Sequence, residues 1–196
     1  MKNYNTFIKE NQYNIKDINE DLIESCQYAD DVKKVKKLID NGANINFIGV
    51  SENTPLTTAV QFGSINVLRE LLKHKDLDLE LKGTIEPDSL SGRDTPPIVI
   101  AGCGDITIIE LLLDAGANID GVGHDGMTAL FFASLYRMMD NLIYLIKKGA
   151  NMHIEDKYGD NFEYNLGDDD IDRIKQECEE EYLQYKLEQE INKYNL

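Results

Sequence analysis

The stretch from Ile106 to Asp120, ITIIELLLDAGANID, decides the fold of this chain. Its Ile and Leu residues recur at spacings of three and four, which predicts a short helix with an apolar face. We expect the helix to end at Gly116, because glycine just after a periodic run is a common helix stop. The Ala-Asn-Ile-Asp segment that follows is then a short connection to the next element.

The same pattern recurs along the chain at a nearly fixed period. Asn118 and Asn151 occupy equivalent positions 33 residues apart. Related segments begin at three other points: VKKLIDNGANIN at Val35, VLRELLKHKDLDL at Val67 and LIYLIKKGANMH at Leu142. The segments upstream repeat as well: TPLTTA at Thr54, TPPI at Thr95 and TALFFA at Thr128. Such a period is typical of a solenoid, in which each repeat buries its apolar face on its neighbours.

These motifs resemble the ankyrin-repeat family, whose unit of about 33 residues is a turn and two helices and opens with Thr-Pro-Leu-His-x-Ala. The resemblance covers roughly residues 17–166, with Pro97 and Arg137 departing from the motif. It implies an all-α ankyrin-repeat solenoid of about four repeats, then a divergent fifth repeat that caps the array and a long terminal helix. Residues 1–16 are then an N-terminal cap or partly ordered segment, and residues 167–196 a C-terminal cap or extended helix.

The charge of the chain is unusual, although the rest of its composition is ordinary for a soluble protein. Twenty Lys and Arg face 36 Asp and Glu, for a formal net charge of −16. Such a surface repels nucleic acids and anionic membranes, which bind proteins through basic residues. It attracts basic proteins in a salt-dependent way. The simpler explanation is that the charge keeps the free chain soluble and monomeric.

The cysteines and the N-terminal segment predict a cytoplasmic protein. Cys26, Cys103 and Cys178 are far apart and odd in number, which argues against a disulfide framework or a zinc site. The first residues lack the apolar core of a signal peptide, and no apolar run is long enough to cross a bilayer. None of the three histidines has a metal-binding partner one helical turn away. We therefore expect no metal and no cofactor.

Several local motifs suggest other functions but are better explained by the repeat. The sequence from Gly121 to Gly126 matches the G-x-G-x-x-G dinucleotide fingerprint, yet no strand is predicted before it. Asp168–Asp170 lacks the ligand spacing of a calcium loop and is expected to cap a helix. A basic quartet is expected on the solvated side of an amphipathic helix: Lys33, Lys34, Lys36 and Lys37. Solenoids rarely form the closed pocket that acid–base catalysis needs, so no enzymatic activity is expected.

Two segments depart from the repeat. Thr54 and Thr95 are 41 residues apart, and the surplus lies in a loop at about residues 82–93 that contains Gly, Pro and Ser. Insertions in repeat proteins often contact a partner, and a tolerated surface insertion is equally consistent with the sequence. From Ile171 to about Tyr194 one long helix is predicted, which either caps the array or binds a partner or a second copy.

The family resemblance also implies where a partner binds: at the turn tips and at the exposed ends of the first helices, which line a concave face. Aligned on the Thr-Pro-Leu motif, the helix-end positions are Tyr28, Ala29, Gln61, Phe62, Gly102, Cys103, Leu135 and Tyr136. The turn positions are Val50, Ser51, Asn53, Arg93, Asp94, His124, Asp125, Met127, Lys157, Tyr158 and Asp160. Four aromatics among them, Tyr28, Phe62, Tyr136 and Tyr158, fit interface hot spots. Rings that pack on the next repeat would give the same pattern.

These features predict a non-catalytic protein–protein interaction module that binds and masks one basic protein partner. A sharper hypothesis is an immunity or inhibitor protein against a basic toxin, since some toxin-immunity proteins resemble ankyrin repeats. It rests on charge and on analogy of fold. The alternative is a scaffold or host-directed adaptor that uses the concave face and the C-terminal helix.

Overall fold

The computed structural model of the protein describes residues 18–27, 32–84 and 94–194. The chain falls into two compact units, Met1–Pro97 and Ile98–Leu196. The described residues form ten α-helices and two 3-10 helices, which confirms the prediction of an all-α ankyrin-repeat solenoid. The N-terminal cap predicted at residues 1–16 lies outside the described residues.

The helices follow one another in pairs joined by short turns. In chain order they are α1 (18–27), α2 (Val32–Asp40), α3 (Pro55–Gln61), α4 (Ile65–Leu71), α5 (Pro97–Ala101), α6 (Ile106–Asp114), α7 (Ala129–Leu135), α8 (Met139–Lys147), α9 (Asp168–Glu177) and α10 (Glu179–Tyr194). The 3-10 helices are His124–Gly126 and Phe162–Asn165. The apolar stretch that opened the sequence analysis therefore forms α6, and Gly116 lies two residues beyond its last helical residue.

The first helix of a repeat begins at a threonine that caps it. The Thr54 hydroxyl accepts the N–H of Thr57 at 3.0 Å, and the Thr57 hydroxyl accepts the N–H of Thr54 at 2.8 Å. Thr128 caps α7 by accepting the N–H of Phe131 at 3.3 Å. These bonds satisfy amides that have no partner inside the helix. Because the caps occur in the repeated Thr-Pro-Leu and Thr-Ala-Leu motifs, they start both helices at equivalent positions.

Glycines in the left-handed region end three of the second helices. The φ angle is 93° at Gly42, 98° at Gly116 and 85° at Gly149. Only glycine adopts this conformation without steric cost, which explains the repeated Gly-Ala-Asn motif. Lys75 stands at the equivalent position after α4, and it is not among the described residues with positive φ. That helix end is irregular, as its sequence predicts.

Arg137 adopts a left-handed conformation where an earlier repeat has glycine. Its φ is 57°, close to the 67° of Gly63, and a side chain there costs of order 1 kcal/mol. The Arg137 guanidinium donates to the carboxylate of Asp170 and to the backbone oxygen of Asn165. These bonds hold the strained residue and tie the end of α7 to the start of α9.

A series of hydrogen bonds from side chains to the backbone, here called the asparagine ladder, joins successive repeats of the first unit. The side-chain oxygen of Asn19 accepts the N–H of Asn44 at 2.7 Å, and that of Asn44 accepts the N–H of Asn46 at 3.0 Å. The side-chain oxygen of Asn46 then accepts the N–H of Asp78 at 2.9 Å. The two steps between repeats span 25 and 32 residues, and each links one turn to its neighbour.

The asparagine ladder has the same form in the second unit. The side-chain oxygen of Asn118 accepts the N–H of Asp120 at 3.1 Å, and a carboxylate oxygen of Asp120 accepts the N–H of Asn151 at 2.8 Å. The Asn151 side chain accepts the N–H of His153 at 2.9 Å. The Gly-Ala-Asn tail therefore has two functions: its glycine stops the helix, and its asparagine bonds to the turn.

The inserted loop is closed at its base by a β-bridge. Gly83 and Thr95 exchange two backbone hydrogen bonds, at 3.0 Å and 2.9 Å. Gly83 lies against the Thr57 side chain so closely that a Cβ there would be 2.5 Å from the Thr57 hydroxyl oxygen. The bridge thus brings the residues on either side of the insertion next to each other. Residues 85–93, which hold most of the predicted insertion, lie outside the described residues.

The C-terminal segment is interrupted, so the prediction of one continuous helix from Ile171 to Tyr194 is wrong. Cys178 has φ −131° and ψ 45°, which separates α9 from α10. Its side chain is buried, with the thiol 3.8 Å from the backbone oxygen of Ile143. Ile174 and Tyr182, on either side of the break, are both buried. The three leading acids of α9 include Asp170, which accepts the N–H of Gly167 at 3.0 Å and caps the helix as predicted.

Replacing Asp105 by Ala should destabilise the second unit by about 1 kcal/mol, because Asp105 caps α6. Its carboxylate accepts the N–H of Thr107 at 2.8 Å. This bond holds the pKa of Asp105 below its usual value. A carboxyl whose pKa is lowered by folding stabilises the protein above its unfolded pKa and loses that effect as the pH falls through the folded value. The deficit of Asp105→Ala should therefore be largest near neutral pH and shrink in acid.

Urea unfolding followed by circular dichroism at several pH values measures this difference. Asp105→Asn is the matched control, since it keeps a capping oxygen without a titratable group. A deficit of Asp105→Ala that stays constant from neutral to acid pH would show that the charge of Asp105 does not contribute.

The other local motifs take the structures that the repeat predicts. Lys33, Lys34, Lys36 and Lys37 are exposed on α2. Gly123 donates its N–H to the backbone oxygen of Met127 at 2.9 Å, so Gly121–Gly126 belongs to a turn and not to a strand–helix junction. Among the described residues, no group of three or more His, Cys, Asp or Glu side chains is arranged to hold a metal ion. No helix in the described ranges is long and apolar enough to span a membrane.

Candidate protein-binding site

Four of the predicted contact residues line one depression in the first unit. Its volume is about 160 Å³, and we call it the Phe62 depression. It lies between α1, the turn before α3 and the end of α3. Its lining residues that the sequence predicts are Ser51, Asn53, Gln61 and Phe62. Phe62 is 47% exposed, so its ring forms part of the rim and is available to a partner.

Sequence reasoning missed the other wall of the Phe62 depression, which α1 supplies. Glu20 accepts the N–H of Val50 at 3.1 Å and so fixes the turn to α1. A Cβ on Gly49 would lie 2.7 Å from the terminal methyl of Ile23, so a larger residue there would require the Ile23 side chain to shift. The buried Thr58 hydroxyl has no hydrogen-bond partner among the described residues and lines the same depression. The Phe62 depression thus combines an aromatic rim, a carboxylate and hydrogen-bonding groups.

A second group of predicted residues, the Asp125 cluster, meets at the turns of the second unit. Asp125 has φ 62°, and its carboxylate accepts from the Lys157 ammonium at 2.6 Å and lies 3.0 Å from Nε2 of His124. The Lys157 backbone N–H also donates to the Asp125 backbone oxygen, at 2.7 Å. The hydrogen bond to Asp125 raises the pKa of Lys157 above its usual value. The Lys157 ammonium lies 4.9 Å from the centre of the exposed Tyr158 ring.

The end of α7 presents a separate exposed aromatic residue. Tyr136 is 57% exposed, and its ring centre lies 5.8 Å from that of the buried Phe132. Phe132 therefore supports the Tyr136 ring, more than half of whose residue surface is exposed. Leu135 beside it is also exposed. A rigid aromatic ring supported from below is the kind of side chain that dominates interface energies.

The predicted contact residues differ in exposure. Exposed residues are Val50, Ser51, Phe62, Asp94, Leu135, Tyr136, Lys157 and Tyr158, and half-buried ones are Asn53, Gln61, Cys103, His124, Asp125, Met127 and Asp160. Tyr28, Ala29 and Arg93 lie outside the described residues. Gly102 is buried, so its assignment to the exposed end of a first helix is wrong. Cys103 donates its thiol to the Ile100 backbone oxygen at 3.3 Å, and burial raises its pKa.

The acidic charge is concentrated in the second unit. Residues 98–196 contain 20 Asp and Glu against 8 Lys and Arg, whereas residues 1–97 contain 16 against 12. The excess is therefore 12 acids in the second unit and 4 in the first. A basic partner would be attracted chiefly to the second unit, and the attraction would weaken as salt rises.

Comparison with known proteins agrees with the fold. Residues 81–156 match the model of the ankyrin-repeat family, in three copies. Neurogenic locus notch homolog protein 1 of Mus musculus is 27% identical over 120 residues, which are 61% of this chain and 4% of that protein. An ankyrin repeat and KH domain-containing protein of Caenorhabditis briggsae is 25% identical over 163 residues, 71% of this chain and 6% of its own length.

The chain thus spans only a small part of each of these relatives. Ankyrin repeats are protein–protein interaction modules and imply a protein partner. The repeated motifs, the paired helices and the match to the family model together identify ankyrin repeats within this chain, over residues 81–156.

Proposed function

We propose that this chain is a non-catalytic, cytoplasmic protein that binds one basic protein partner and acts by covering it. In this proposal the partner contacts the Phe62 depression, the Asp125 cluster and the exposed end of α7. The observation that carries the proposal is the exposed aromatic ring of Phe62 beside a depression that contains the Glu20 carboxylate and no Lys or Arg. Such a site suits a basic side chain whose apolar stem packs on the ring.

The net charge supports a basic partner in particular. An acidic field speeds the encounter with a basic protein and disfavours nucleic acids and anionic membranes. We further propose that the free chain is a monomer, because its like charges repel. An inhibitor or immunity protein against a basic toxin is one form of this function, since covering a basic surface blocks what that surface binds.

The adaptor alternative is favoured by one observation. The outward side of α10 carries Leu183, Leu187 and Ile191, all exposed. A protein that only covers one partner through its turns has no use for a second apolar surface. An adaptor would use this side of α10 to hold another protein.

Replacing Phe62 or Tyr136 by Ala should weaken partner binding about tenfold or more each. Both side chains are about half exposed, so the thermal unfolding temperature should change little. Tyr164→Ala is the matched control, because Tyr164 is 70% exposed and lies outside the proposed site. Binding is measured by titration calorimetry with the partner identified below.

The partner is sought by affinity capture from the organism that encodes the chain, with wild type and both variants as baits and washes at low and high salt. The proposal requires one basic protein, recovered in near-equal amount, lost progressively with salt and absent from the variant baits. A neutral partner retained by the Phe62 and Tyr136 variants would contradict it. Loss of the fold in either variant would place that ring in the core and remove it from the site.

A further inference from the structure

The outward side of α10 forms a row of large aliphatic side chains, here called the aliphatic row. Leu183, Leu187 and Ile191 are 68%, 49% and 48% exposed. Tyr182 and Tyr185, on the opposite side of the helix, are buried. The aliphatic row therefore points away from the unit that α10 caps. A row of exposed aliphatic side chains is a surface that another protein can cover.

The spacing of the aliphatic row favours a helical occupant. Side chains four residues apart lie above one another on a helix and form a ridge, about 12 Å long for three of them. Such a ridge packs into the groove between the ridges of a second helix. Beside Leu183 is a mostly apolar depression of about 320 Å³ that can receive a side chain of the occupant, lined by Lys175, Glu179, Tyr182, Leu183 and Lys186.

The charge around the aliphatic row indicates which helix fits. α10 contains five Glu and two Lys. Lys186 is already paired with Glu163, at 2.8 Å. Exposed Glu179, Glu180 and Glu190 form no ion pair with a base in the part of the chain that the structure describes. A second copy of this chain would bring the same acids against them, whereas a helix with basic flanks would be attracted.

We propose that the aliphatic row binds a basic amphipathic helix of a partner protein. The apolar face of that helix covers Leu183, Leu187 and Ile191, and its Lys or Arg residues meet the surrounding glutamates. This surface uses none of the residues of the Phe62 depression or the Asp125 cluster. Binding at the aliphatic row is therefore independent of binding at the site of the proposed function, and either can occur without the other.

The probe is a labelled synthetic helical peptide with Leu on one face and Lys flanking it, titrated with the full chain in fluorescence anisotropy. Leu187→Glu should weaken its binding at least about tenfold, because it puts a charge in place of a leucine that the bound peptide would bury. Asn192→Glu is the matched control: it adds the same charge to an exposed position of the same helix, off the row. Asn192→Glu should bind the peptide at least as tightly as wild type. Leu187→Ala is a second, uncharged variant and should also bind more weakly.

Two further peptides separate apolar docking from charge. One has Glu in place of Lys and should not bind; the other has the Leu and Lys order scrambled and should bind at least about tenfold more weakly. Equal binding of the ordered and scrambled Lys peptides, or of wild type and Leu187→Glu, would overturn the proposal. So would a wild-type dimer in sedimentation equilibrium that Leu187→Glu dissociates, since the occupant would then be a second copy. The variant Phe62→Ala should bind the Lys peptide as tightly as wild type does. A failure of this proposal can therefore be distinguished from a failure of the proposed function.

Discussion

Replacing Gly102 by Ala should destabilise the second unit by about 2–3 kcal/mol, because the new methyl group has no space. An ideal Cβ on Gly102 would lie 2.5 Å from the backbone oxygen of Ala129 and 3.1 Å from that of Val99. Both obstacles are backbone atoms of helices, so no side chain can swing away. The shift would also strain the Asn141 side chain, whose amide donates to the Gly102 oxygen at 3.1 Å. The loss should appear as a lower urea midpoint for the second unit.

Gly104→Ala is the matched control for this prediction. The atom nearest to its Cβ would be the Ala101 oxygen, at 3.5 Å, which is an ordinary contact. We expect its free energy of unfolding to lie within about 0.5–1 kcal/mol of the wild type. If Gly102→Ala were as stable as Gly104→Ala, α5 and α7 would not be in close contact here.

Replacing Tyr185 by Ala should cost about 3–5 kcal/mol, the usual range for deleting a large buried ring. Tyr185 is 2% exposed, and its ring centre lies 4.7 Å from that of His153 and 5.8 Å from that of Phe162. Its hydroxyl accepts from the side-chain amides of Asn161, at 3.0 Å, and Gln189, at 2.7 Å. The ring thus joins α10 to the divergent fifth repeat, and its loss should release the C-terminal cap first.

Tyr185→Phe separates the ring from its hydroxyl. The hydroxyl also donates to Glu163 at 3.3 Å, and burial raises the pKa of Tyr185, so it stays protonated and keeps this bond. Removing the hydroxyl leaves these partners unsatisfied and should cost about 1–3 kcal/mol. Hydrogen exchange should show α10 losing protection in Tyr185→Ala before α7 does. Equal loss of protection throughout the second unit would mean that the cap does not unfold on its own.

Much of the fold could be predicted because the same local sequence signals recur in several repeats. Thr54 and Thr128 mark helix starts, and Gly116 and Gly149 mark helix ends, through caps and left-handed conformations that depend only on nearby sequence. The inward positions Ile174 and Tyr182 were also predictable from helical spacing. These features require no knowledge of which segments meet in space.

Other features could not be predicted because they depend on contacts between distant segments. Cys178 looks like an ordinary inward position in the sequence, whereas in the structure the helix breaks there and the thiol lies near the Ile143 backbone oxygen. Glu20 gives no sequence signal of its bond to Val50, which lies 30 residues away. The carboxylate of Asp125 and the ammonium of Lys157 were each predicted on turns, but their pairing requires the distance between successive turns. The binding role of Asp125 and Lys157 stays a prediction.

The asparagine ladder bears on how such a chain can lengthen or shorten over generations. Each rung links a turn only to a neighbouring turn, through the side chains of Asn46 and Asp120, which end two of the Gly-Ala-Asn tails. A duplicated repeat would bring its own rung and find a partner on either side. After the deletion of one repeat, the turns on either side of it could still bond to each other. Gain or loss of one whole repeat is therefore far less disruptive than the insertion of a single residue between a tail and its turn, which would misplace every bond of that step.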